Sequence, residues 1–387
     1  MARTGPILFS YAFRPFFLGG AIWAVVAMVL WLMALAGRMD PGGEYGASYW
    51  HMHEMLFGFT SAVLSGFLMT AVPNWTGRLP VSGPPLMALS ALWLAGRLAI
   101  TTPVGGSTIA GIVIESLFLP VMAIIFLAEI VAGRKWRDLK VVGVVAVLAI
   151  ANIGFHVAVL SGSDPSAFAR AAIAGFVLLI LIVGGRITPS FTRNWLNRQG
   201  RAPLPVPFGW FDELAASLST FALVLWMTMP ETVLTAVAAF AAATLNVVRL
   251  WRWRGWKARA EPLILSLHLS YMMVCLGFAA IGMAALGGMT QAAALHVFAV
   301  GAIGGEMLAV MTRATRGHTG RPLQASTLTT LSYLAIFTAA LSRPAADFVA
   351  YEVMISIAGA AWIIAFGLFV LEHTGMLVTG RRDPRGA

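Results

Sequence analysis

Across 387 residues the chain is 59% hydrophobic and 11% charged, with a mean hydropathy of +0.82, whereas soluble domains carry about a quarter charged residues. That composition excludes a water-soluble globular domain. The formal charge of +10 would suit nucleic acid, but the Lys and Arg fall in short loops between apolar stretches, so topology accounts for them and no nucleic-acid partner is expected.

Twelve stretches approach the roughly 20 apolar residues that cross a hydrocarbon core of about 30 Å. In chain order they are Phe16 to Ala36, Glu54 to Pro73, Pro85 to Ile100, Ile109 to Ala132, Leu139 to Leu160, Phe168 to Gly185, Phe211 to Met229, Val233 to Val248, Pro262 to Leu286, Ala292 to Met311, Ser326 to Leu341, and Phe348 to Leu371. The expected fold is all-α: a polytopic integral membrane protein, one membrane domain over residues 1–387, filled with spans from 16 to 371. Ala34-Leu35-Ala36 resembles a signal-peptide cleavage site, but the apolar run before it exceeds the usual ~7–15 residues, so the first span reads as uncleaved.

Cytoplasmic loops accumulate Lys and Arg. With the N-terminus inside, 22 of the 26 basic residues fall on the cytoplasmic side, and Arg38, Arg97, Arg170 and Arg343 are left for the outer side. Both termini are therefore expected in the cytoplasm. Trp251, Trp253 and Trp256 among arginines read as an interfacial belt.

The second and tenth spans echo each other. His53 precedes Gly58 by five residues and Thr76-Gly77-Arg78 by 23, and His296 has the same spacing to Gly301 and Thr319-Gly320-Arg321. A helix of that length covers about 33 Å, which sets both histidines near the outer face at similar depth.

Ionisable groups inside spans are costly and are functional candidates by default. The single cysteine, Cys275, excludes a disulfide framework, covalent haem attachment and an iron–sulfur ligand set. A noncovalent haem b needs axial ligands on opposite faces, and His53 with His296 is the leading pair. His156 could replace either, bind a second metal, or simply hydrogen-bond a neighbouring helix. His51 and His53 would chelate copper on an extended backbone, while on a continuous helix the two rings diverge by about 200°. His268, Met272 and Cys275 share a helix face and suit copper, although ordinary packing explains the Met and Cys more simply. Glu54, Glu115 and Glu306 lie inside spans, where they would relay protons, bind metals or pair with arginine; Glu306 is the most costly.

Several blocks carry a resemblance: Tyr11-Ala12-Phe13-Arg14-Pro15-Phe16-Phe17, Trp50-His51-Met52-His53-Glu54-Met55-Leu56-Phe57-Gly58-Phe59, Ala71-Val72-Pro73-Asn74-Trp75-Thr76-Gly77-Arg78, Gly184-Gly185-Arg186-Ile187-Thr188-Pro189, and the segment from Met311 to Arg321. Together they resemble the NnrS family. The resemblance implies a bacterial inner-membrane protein containing haem and copper, associated with denitrification and protection against nitric oxide and nitrosative stress. The family's histidine blocks match at His51, His53, His296 and His318, to which cofactor binding carries over. Glu306 stands where that family is expected to have a small or hydroxyl residue.

The leading expectation is a haem-dependent oxidoreductase that reduces nitric oxide to N2O with electrons from membrane quinol. His53 and His296 would hold haem b, with His51, His156 and His268 as ligands of copper or a second haem. Glu54, Glu306 and Arg78 are the candidates for proton or quinol handling. The close His-His copper motif of haem-copper reductases is absent. The alternatives are a transporter or metal-handling protein, and a haem-based scavenger or sensor of nitric oxide without turnover.

Overall fold

The computed structural model describes residues 5–102 and 109–382, and every regular element among them is helical. Twelve long helices follow in order: α1 Phe13–Leu35, α2 Gly46–Thr76, α3 Pro84–Thr101, α4 Ile109–Ala132, α5 Trp136–Leu160, α6 Ser166–Arg198, α7 Trp210–Thr228, α8 Val233–Arg252, α9 Pro262–Ala285, α10 Gln291–His318, α11 Thr327–Ala345 and α12 Tyr351–Val378. Ten are long and apolar enough to cross a membrane on their own. The other two, α7 and α11, have 19 residues each; Asp212 and Glu213 dilute the first, Thr and Ser residues the second. The chain is an all-α membrane protein.

Several helices outrun their expected ends, α2, α6 and α10 among them. Helix α2 starts at Gly46 instead of Glu54, and α6 and α10 continue to Arg198 and His318. Each also contains a π-helical stretch: Glu54–Phe59, Ile180–Gly184 and Val297–Gly304. The echo between the second and tenth spans thus extends to the backbone, because both helices turn π directly after their histidine. Such stretches recur at functional sites.

Two compact units make up the fold. The first comprises Met1–Ala172, Met311–Pro322 and Phe366–Ala387, and the second Ile173–Val310 and Leu323–Ala365. Within the first, Gly20 and Gly66 bring α1 and α2 together: a Cβ on Gly66 would lie 2.8 Å from the Phe17 ring, and one on Gly20 3.2 Å from Val63. Small residues matter here because lipid supplies no hydrophobic drive between helices, leaving close packing to hold them. Arg14 is buried at the base of α1 and donates to Leu377 O (2.6 Å) and Thr379 O (2.8 Å), capping carbonyls at the end of α12.

In the second unit Gly277 of α9 lies against Phe298, where a Cβ would come within 2.4 Å. Hydroxyl caps start three of its helices, α8, α10 and α11. Thr232, Thr290 and Ser326 accept from the backbone N–H three residues on, at 3.3, 3.0 and 3.0 Å. The belt reading suits Trp251 and Trp256, which are exposed with rings 4.2 Å apart, but not Trp253, which is buried against Tyr271.

Candidate metal centre

Four helices of the first unit deliver polar side chains to one buried cluster. Helix α2 supplies His53 and Glu54, α3 Arg97, α4 Glu115, and α5 Asn152 and His156, with Tyr45 just ahead of α2. Arg97 Nη1 donates to both oxygens of Glu54 (2.8 and 2.7 Å), and Nη2 donates to Glu115 Oε1 (2.6 Å). Glu115 Oε2 accepts from Asn152 Nδ2 (2.8 Å) and His156 Nε2 (2.7 Å). His53 Nδ1 meets Glu54 Oε1 (2.9 Å), and its Nε2 meets Asn152 Oδ1 (3.0 Å).

These bonds fix the protons. Both partners of His53 are acceptors, so both its ring nitrogens donate and the imidazole is cationic. His156 donates from Nε2, so its Nδ1 accepts from the Tyr45 hydroxyl. Arg97 and His53 then balance Glu54 and Glu115, which makes the burial of all four tolerable. Burial, with the Glu115 and Glu54 carboxylates nearby, raises the Tyr45 phenol above its ordinary pKa.

The local sequence makes room for this. The π-helical stretch begins at Glu54 and contains Gly58, where a Cβ would sit 2.4 Å from Arg97 Nη1 and 2.8 Å from Glu54 Oε2. Trp93 Nε1 donates to Gly58 O (2.9 Å), tying α3 to α2. Gly96 lets α4 approach α3, because a Cβ there would lie 3.1 Å from Glu115 Cα.

One ligand atom each of His53, Glu115 and His156 lies within 4.8 Å of the others. The second nitrogen of each imidazole is held by an outer partner, Glu54 or Tyr45, the arrangement that orients metal-binding histidines. Once the Nε2 protons of His53 and His156 are released, two imidazoles and a carboxylate suit a first-row transition ion. They suit a porphyrin poorly, because the Phe57 and Phe155 rings lie 5.3 and 5.6 Å from the His53 ring.

The other expected site residues lie elsewhere. The helix is continuous from Gly46 to His53, so His51 turns away and stacks on Trp31 with ring centroids 4.5 Å apart, and the extended His51–His53 chelate is not formed. His296 belongs to the second unit, with Nδ1 on Ala292 O (2.6 Å). His318 is exposed, 5.3 Å from the Phe13 ring. His268 holds Thr192 Oγ1 (2.8 Å); its stripe does not form one donor set, because Cys275 is buried and Met272 is exposed. Arg78 is half-exposed and donates to Glu129 (2.6 Å) beside an apolar crevice lined by Met69, Val72 and Phe126. Glu306 is buried in the second unit, outside this cluster.

Arg97, Asn152 and Tyr45 were not among the candidates. The signal for Arg97 was present: an arginine inside an apolar span needs a carboxylate partner, and Glu54 and Glu115 are among the few acids in spans.

No curated protein matches the chain. The family described as NnrS protein matches it over residues 7–381, nearly its whole length, and the chain belongs to the NnrS family.

Proposed function

We propose that this protein is a metal-dependent oxidoreductase of the bacterial inner membrane that reduces nitric oxide to N2O with electrons from quinol. Family membership connects the chain with nitric oxide, and the observation that carries the reading is the convergence of His53, Glu115 and His156. Two NO, two electrons and two protons give N2O and water. A redox-active ion such as copper in this donor set supplies one-electron exchange and a position for NO.

The chain's own residues do the rest. Glu54 and Tyr45 orient the two imidazoles, and Arg97 holds both carboxylates in place. Glu54 Oε1, against His53 Nδ1, is the nearest carboxylate oxygen to take a proton. The Arg78–Glu129 pair offers a quinol hydroxyl an acceptor at an exposed edge.

Purified protein is expected to hold a transition metal and to form N2O from NO and reduced quinol. His156→Ala and Glu115→Gln should each lower metal affinity at least tenfold and abolish N2O formation. Full metal content with unchanged N2O formation in both variants would overturn the assignment. The echo between α2 and α10 favours a second reading as a transporter, which predicts uptake into proteoliposomes without N2O.

A further inference from the structure

Helix α10 leaves its π-helical stretch at Gly304, and two residues later it carries Glu306. The side chain is buried, and neither carboxyl oxygen has a hydrogen-bond partner among the described residues. Against it lies the end of the π-helical stretch of α6: a Cβ on Gly184 would sit 3.3 Å from Glu306 Oε1. Two irregular helical stretches of the second unit therefore meet at this carboxyl.

The buried cation nearby in the chain's packing is already engaged. Arg249 lies against the next glycine, Gly185, and donates to Asp212 Oδ1 (2.9 Å), Tyr271 Oη (2.9 Å) and Leu181 O (3.2 Å). Tyr271 in turn donates to Asn246 Oδ1 (2.5 Å). Asp212 thus matches Arg249, and Glu306 forms no ion pair among the described residues.

An ionised carboxylate with neither a cation nor a donor is far costlier in a membrane span than its neutral acid. A protonated acid kept for packing would place its O–H on a carbonyl, yet Glu306 has no such acceptor. A mobile partner, water, meets both conditions. We propose that Glu306 is a proton-loading site of the second unit: a carboxylic acid at rest that exchanges its proton with water, its O–H breaking to leave a carboxylate and H+.

Infrared spectroscopy of the purified protein tests this, because only a protonated carboxyl gives the carboxylic C=O stretch; Glu54 and Glu115, in ion pairs, are silent there. The expected result is a band that shifts in D2O, shifts on 13C-glutamate labelling, and is lost in Glu306→Gln. Labelling of the wild-type protein still decides if that variant does not accumulate. Absence of the band, its persistence in Glu306→Gln, or its indifference to D2O would each overturn the proposal.

Discussion

Arg97 places one guanidinium against carboxylates from two other helices. Removing it leaves two buried negative charges facing one histidine. Arg97→Leu is therefore expected to destabilise the protein by about 3–5 kcal/mol, read as a lowered unfolding temperature in detergent. Arg97→Lys keeps the charge but loses the planar fork, so stability should partly recover while metal affinity stays roughly 10–100-fold down. Gly58→Ala tests the same group from the other side: its Cβ would arrive 2.4 Å from Arg97 Nη1, and metal content should fall with the guanidinium displaced. Read in sequence, Arg97 passes for an outer-face charge, because its partners stand 43 and 18 residues away on other helices. His53, Glu54, Glu115 and His156 were visible as costly groups in apolar spans. That they meet was not, since no local spacing relates α2, α4 and α5.

Helices were the most legible level, because crossing hydrocarbon sets a threshold of length and polarity that composition alone reveals. Their ends were harder to read: the segment before Glu54 is polar enough to look like a loop, yet its backbone bonds continue the helix to Gly46. Two of the three π-helical stretches follow the histidines of the echo, but that spacing by itself does not specify a π turn. Local stability is nevertheless testable. Thr290→Ala removes the hydroxyl that accepts from Ala293 N at 3.0 Å and should cost about 1 kcal/mol. Gly277→Ala places a Cβ 2.4 Å from the Phe298 ring and should cost about 1–3 kcal/mol through overpacking. Thermal unfolding of each variant in the same detergent checks both.

For the whole molecule, the expected asymmetry of 22 basic residues against four makes the orientation a proposal that labelling can test. Because Cys275 is the chain's single cysteine and is buried, introduced thiols report cleanly. An impermeant thiol reagent should label Lys135→Cys from the cytoplasmic side and Ser161→Cys from the outer side. Labelling of both from one side would reject the orientation.

The grip of Arg14 on the end of α12 also sets an order of events during synthesis. Arg14 leaves the ribosome with the first span, while the carbonyls that receive it, at Leu377 and Thr379, emerge after eleven further helices. Until then the nascent chain carries a cation at its head with its final acceptors still unmade. The first unit therefore closes only once α12 has been made and can capture a charge carried since α1.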